Sequence, residues 1–496
     1  MRAVFAAALL VSVVSCGGPA AQHAPNATTT CTTAKAVTSL GAATSGALSP
    51  PAPPPDAVAK IVSAPSHAFD IVHSLTTEVG PRSAGSIGDA AAVAWALRTL
   101  AANGLTNVHA EKAMVRHWER GAETAEIVAP VHQPLKITAL GGSVATPPAG
   151  IEAEVVEITS MDNLSKLAPG ALAGKIAFLD APMRRAIDGA GYGDIVPLRS
   201  RGAGLAQKAG AIATILRSVG TDHNRLPHTG AKHKDDVEIP AGALSVPDAE
   251  LLHDVLQLQG STGAPVRVRL TLTPRMLADA ESANVVGEVR GREKPDEVVL
   301  LGAHLDSWDL GTGAIDDGAG CGIVIDAARR ISTLSTAPRR TVRVVLFADE
   351  ENGREGGDAY AKVHASEAEK IVVALEADFG GDRVYGLRFL GGAGGVAPVA
   401  TIATFMKGLG VEKDAAAAHG GTDIAPLRTL GVPIADLRQD GSRYFDFHHT
   451  ANDTIDKVDR EAIAQAAAAF GVFAWGAAES DGDFGRIAQE ERAEHW

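Results

Sequence analysis

Four clusters of metal-ligating side chains occur in the second half of this chain, each just beyond an apolar run. The first is His304-Leu-Asp306-Ser-Trp308-Asp-Leu-Gly-Thr-Gly-Ala-Ile-Asp316-Asp317-Gly, which follows Val298-Val-Leu-Leu-Gly-Ala303. The others are Phe347-Ala-Asp-Glu350-Glu351-Asn-Gly353, Glu376-Ala-Asp378-Phe-Gly-Gly381 and Asp446-Phe-His448-His449-Thr-Ala-Asn-Asp453-Thr454. Carboxylates at strand ends are costly unless they are solvated or hold a metal. One such cluster reads as a polar loop or a helix cap. Four of them, at the rim where α/β sheets place ligands, read as a metal shell.

The elements that must position these residues are legible from 283 onward. Apolar runs predict strands at 284–289, 298–301, 341–347, 370–375 and 432–437. Helical spacing predicts helices over 318–333, 356–367, 397–409 and 460–478. The alternation argues for an α/β fold with a doubly wound, mixed sheet. Upstream, two amphipathic helices are expected between Ala57 and Leu100, then strands at 107–115 and 125–129. From about residue 130 the texture changes to short strand-like segments at 151–158, 174–180, 211–216 and 266–272, with one helix at 202–209. This predicts a separate, mostly β insertion over 131–279. Its histidines His223, His228 and His233 read as solvated loop residues rather than a second metal site.

The 496 residues are 46% hydrophobic and 21% charged, enough for two or three cores. A net charge of −14 argues against nucleic acid and anionic membrane surfaces as partners. Three cysteines make no disulfide framework. Met1-Arg2 and the apolar run to Val14 predict a signal peptide over 1–15, too short to span a bilayer. Val13-Val-Ser-Cys16 resembles a bacterial lipobox, so Cys16 is expected to carry a lipid anchor. Residues 16–56, rich in Ala, Thr, Ser and Pro, read as a disordered tether. The setting expected is an exported lipoprotein, periplasmic or cell-surface, anchored in the outer membrane.

The pattern His-x-Asp-Ser-Trp-Asp-x-Gly-x-Gly-Ala-x-Asp-Asp-Gly, then Glu-Glu-x-Gly, Glu-x-Asp and His-His-Thr-x-x-Asp-Thr, resembles the co-catalytic di-zinc exopeptidases. That family holds secreted bacterial aminopeptidases, carboxypeptidase Q and the glutamate carboxypeptidases; Ser-Trp-Asp and the His-His pair most resemble the carboxypeptidase Q branch. The resemblance implies a catalytic domain over 57–130 and 280–485, with a protease-associated domain inserted at 131–279. It implies two zinc ions per chain, one held by His304 and Asp378, the other by Glu351 and His449, with Asp316 between them. Mixed imidazole and carboxylate donors suit zinc better than calcium or magnesium. Two such ions hold a shared water and polarise the scissile carbonyl. Glu350 would be the general base. Asp306 would orient His304, and Asp317 would follow Asp316 through a cis peptide.

Further roles follow from the same resemblance. His448 stands where secreted aminopeptidases have an oxyanion-holding tyrosine; Tyr444 is the alternative. Asp453 is expected to orient the loop or His449. Trp308, Asp423 and Tyr444 are candidate substrate-pocket residues. Apart from the resemblance, Arg82, Arg120, Arg438 and Arg443 are candidate partners for a substrate carboxylate, and no sequence rule chooses among them. The activity implied is hydrolysis of dipeptides or short peptides at a free terminus. The competitors are an aminopeptidase on longer peptides and a surface binding protein that has lost catalysis. The implied partner is the peptide substrate, with a homodimer left open.

Overall fold

Strands that feed the site are buried on both faces, and their sequences are apolar without alternation for that reason. In the strand Lys294–His304, Val299, Leu301 and Ala303 pack into one core while Val298 and Leu300 pack into another. This computed structural model describes residues 55–232, 239–260 and 263–493. The signal segment 1–15, Cys16, Cys31, most of the tether and His233 lie outside the described residues.

Eight strands form the first sheet, in the order Thr106–Val115, Ala280–Val289, Arg340–Phe347, Lys294–His304, Ile371–Glu376, Ile434–Gln439, Val384–Leu390 and Glu412–Lys413. Four central strands, from Arg340–Phe347 to Ile434–Gln439, run parallel. Their C-terminal ends, and the clusters that follow them, therefore share one edge. The connection leaving Lys294–His304 leads one way across the sheet, to Arg340–Phe347, and that leaving its neighbour Ile371–Glu376 leads the other way, to Val384–Leu390, which opens a crevice between the two at that edge.

On one face lie the helices Asp56–Ser63, Ala68–Glu78, Ala319–Ser332, Val396–Met406 and Arg460–Glu479. The helices Glu355–Val363 and Ala425–Thr429 cover the other. Arg460–Glu479 is apolar enough to span a bilayer by length, yet 83% of its apolar window is buried as a core helix. Close approach requires glycine at one point: a Cβ on Gly320 would stand 1.9 Å from the carbonyl oxygen of Ala377.

A second eight-stranded sheet is built from residues 123–272, in the order Gln133–Leu135, Glu123–Ala129, Arg267–Leu272, Ile151–Ile158, Ile176–Leu179, Ala213–Arg217, Ala241–Leu244 and Ile137–Ala139. Glu123–Ala129, which precedes residue 130 in sequence, belongs to this second sheet. Glu123–Ala129 pairs with Arg267–Leu272, and its Ile127 shares a core with Val268. This half also carries longer helices than its strand-rich texture suggested, Ala190–Lys208 and Val246–Gly260. The described residues of both sheets fall within one compact unit.

Candidate metal centre

Sequence-predicted ligands meet at the shared strand edge. His304 ends its strand with Nε2 3.1 Å from Asp316 Oδ1 and 3.4 Å from Asp378 Oδ1. On the far side of Asp316, Oδ2 lies 3.2 Å from His449 Nε2, which is 3.0 Å from Glu351 Oε2. Asp316 thus stands between a His304–Asp378 pair and a His449–Glu351 pair. Ligand atoms of His304, Asp316 and Asp378 all lie within 4.8 Å of one another, as do those of Asp316, His448 and His449.

The supporting residues explain how these side chains are held. Asp317, joined to Asp316 by a cis peptide, accepts the His304 N–H (3.1 Å) and the Gly320 N–H (2.9 Å). Asp306 accepts the Glu350 and Glu351 N–H groups at 3.0 and 3.3 Å, tying the Glu350–Glu351 loop to the His304 strand. His304 Nδ1 is nearer the Asp306 carbonyl oxygen (3.2 Å) than its carboxylate (3.5 Å). Asp453 accepts from the Ile315 and Asp316 N–H groups, so it orients Asp316 and not His449. His449 adopts φ 63 and Asp349 φ 59. A left-handed non-glycine residue costs about 1–3 kcal/mol and persists where its surroundings over-determine it.

Electrostatics of the metal-free site separate its carboxyl groups. Burial works against the Asp316 carboxylate, but the imidazoles of His304 and His449 hold its pKa well below the usual range. Burial, reinforced by Asp378, pushes Glu350 well above it. Burial opposes protonation of His449 too, yet Glu351 and Asp316 raise it to about 9. His448, stacked on His449 with centroids 3.5 Å apart, is driven well below the usual histidine value by burial and then by His449. Asp316 Oδ2 is buried without a hydrogen-bond partner, as is Glu351 Oε1. Such atoms in a mixed imidazole and carboxylate set fit zinc.

A cavity of 630 Å³ opens over these residues, within the size range of small-molecule sites. Glu350, His448 and Tyr444 line it. Two expected pocket residues do not. Trp308 is 4% exposed and packs edge-on between His449 and Trp118, behind the site. Asp423 is fully buried, its carboxyl pushed well above the usual range by burial and then by Glu376; its neighbour Thr422 faces the cavity.

None of the expected arginines lines the cavity. Arg82 is buried and donates to the carbonyls of Leu305, Thr312 and Gly313, fixing the loop behind Asp316. Arg120 is held by Asp309 and Glu123, and Arg443 pairs with Asp382. Arg438 lies over Tyr385, 4.0 Å from Asp188. His228 is also not a solvated loop residue: it is buried and its Nε2 lies 2.7 Å from Asp222. Cys321 is an ordinary core residue, its thiol pushed up to about 12 by burial.

Sequence reasoning missed Tyr192, Arg199 and Lys232, which reach the cavity from the second-sheet half, and Phe379 beside Asp378. Arg199 is 8% exposed. Its NH2 donates to the Tyr192 hydroxyl (2.6 Å), NH1 lies 3.4 Å from His449 Nδ1, and Nε has no partner. His449 Nδ1 also lies 3.3 Å from the Thr229 carbonyl oxygen. Nothing in Val-Pro-Leu-Arg-Ser-Arg marks Arg199, because only the fold brings it to the metal ligands.

Comparison with known proteins follows the same lines. The model of Peptidase family M28 matches residues 284–474. Carboxypeptidase Q of Mus musculus is 36% identical over 418 residues, spanning 84% of this chain and 86% of that protein. Its Homo sapiens counterpart is 35% identical over 415 residues, 83% of this chain and 85% of that protein. A peptidase M28 precursor from Shewanella amazonensis SB2B is similar in structure, with TM-score 0.84 and 46% identity over 87% of this chain and 97% of that one. The zinc aminopeptidase BSAP from Bacillus subtilis, 19% identical with TM-score 0.61 over 85% of this chain and 98% of its own, shares the fold.

Proposed function

This chain belongs to peptidase family M28, and on that premise we propose that it is a zinc exopeptidase whose substrates are dipeptides or short peptides with both termini free. Relatives named carboxypeptidase Q over more than four-fifths of the chain support the peptidase reading. His304 and Asp378 would hold one zinc, Glu351 and His449 the other, with Asp316 between them. Bound zinc supplies Lewis acidity toward the scissile carbonyl and lowers the pKa of water.

The chain's own residues do the rest. Glu350, lining the cavity and tied through its N–H to Asp306, takes the proton of the attacking water and passes it to the leaving amine. His448 is held neutral beside Asp316, so one ring nitrogen carries a proton and can donate to the developing oxyanion. Tyr444 packs against Phe379 and Phe445 and shapes the same wall.

Arg199 carries the choice of substrate. A buried guanidinium is costly without an anion, and no carboxylate pairs with Arg199 among the described residues. Its position beside His449 places an anion-binding group about one residue from the metal ligands, the span of a single C-terminal residue. An aminopeptidase acting on long peptides would leave that cation unmatched. A binding protein without catalysis would be expected to lack a ligand or the base, and all six residues are present here. The test is a panel of free, N-blocked and C-amidated dipeptides. The expected result is at least a tenfold loss of kcat/KM on C-amidation; equal rates on free and amidated substrates would overturn the dipeptidase reading in favour of the aminopeptidase.

A further inference from the structure

The loop between the strand Ile434–Gln439 and the helix Arg460–Glu479 carries His448 and His449, and it is secured from outside its own sheet. Arg185, on the segment that follows the second-sheet strand Ile176–Leu179, forks onto Asp446: NH1 donates to Oδ2 at 2.9 Å and NH2 to Oδ1 at 2.6 Å. The same guanidinium donates to the carbonyls of Ser442 and Thr221. Thr221 adds its hydroxyl to Asp446 Oδ1 at 2.8 Å and its N–H to the Phe445 carbonyl at 3.0 Å. At the end of the loop, the Thr229 N–H donates to the carbonyl of His449 (3.0 Å), the residue with φ 63.

We propose that Arg185 and Asp446 are positioning residues that hold His449 in its ligand conformation, so that the second-sheet half sets the affinity of one zinc and not the other. This rests on the metal centre described above. An exposed ion pair alone contributes little. Asp446, though, accepts from three donors in a planar fork, a geometry that fixes direction as well as charge. His449 needs such support because its backbone is in a region that non-glycine residues avoid. His304 ends one first-sheet strand and Asp378 follows another, and among the described residues no hydrogen bond or ion pair joins either of them to Arg185 or Asp446. Release of the fork therefore acts on the His449–Glu351 side alone. Loss of a group that orients a ligand typically lowers metal affinity 10–100-fold.

Zinc titration of the full chain against a chelating dye tests this. Arg185→Ala and Asp446→Asn should each weaken one zinc site at least tenfold and leave the other unchanged, with Arg185→Lys in between. In a His449→Ala background Arg185→Ala should add nothing; in a His304→Ala background it should still weaken the remaining site. Either substitution suffices if the other fails to fold. Wild-type affinity at both sites in the variants, uniform weakening of both sites, or an undiminished effect in the His449→Ala background would overturn the proposal. A wild-type chain that binds no zinc would refute the metal centre itself, and this proposal with it.

Discussion

Glu350 is the residue proposed as the general base, and its neighbours explain why it can be changed without dismantling the site. It shares a loop with Glu351, but its N–H, not its carboxyl, is what Asp306 holds. Glu350→Gln should therefore keep zinc at the wild-type stoichiometry while lowering kcat at least a hundredfold, the scale expected for loss of a general base. Metal analysis beside turnover checks this, and retained turnover would remove Glu350 from that role. At this scale the sequence was informative where roles sit in contiguous motifs. His304, Asp316, Glu350, Glu351, Asp378, His448 and His449 all stand in such motifs and meet in space. Trp308 and Asp423 stand in them as well, yet packing behind His449 and full burial take them out of the cavity. Arg199 has no motif at all, since a helix of the other half brings it to the cavity.

Element by element, legibility followed burial. Strands covered on both faces, such as Arg340–Phe347 and Ile371–Glu376, are unbroken apolar runs and were readable to within a residue or two. Val384–Leu390 was not: Gly386 and Arg388 interrupt it, and antiparallel pairing with Ile434–Gln439 is what makes it a strand. Glu123–Ala129 showed its type but not its sheet, because register with Arg267–Leu272 is a long-range fact. The helix Val246–Gly260 hid behind a proline at its second position, although Ser245 caps it by accepting the Asp248 N–H. Parallel strand ends gather the candidate ligands, and loops of the second-sheet half hydrogen-bond to the loop that carries His449.

For the whole molecule, the cluster of like charges at the strand edge makes the metal-free protein sensitive to pH. Burial raises Glu376 to about 8 and Asp453 to about 7, so folding favours their protonated forms. His449, at about 9, likewise favours protonation once folded. Each contributes stability that is complete below its ordinary pKa and is lost as pH rises through its folded value. His448 acts in the opposite sense, as a single group. The melting temperature of metal-free protein should then be several degrees higher near pH 6 than near pH 9, read by calorimetry; a rise in that direction would contradict it.

Zinc reverses the same imbalance, which joins stability to function. The most direct measurement is dipeptide hydrolysis by protein stripped of metal, followed as zinc is returned in known amounts. The account predicts no turnover without metal and recovery that saturates at two zinc ions per chain. Full turnover by protein shown to be free of metal would contradict it.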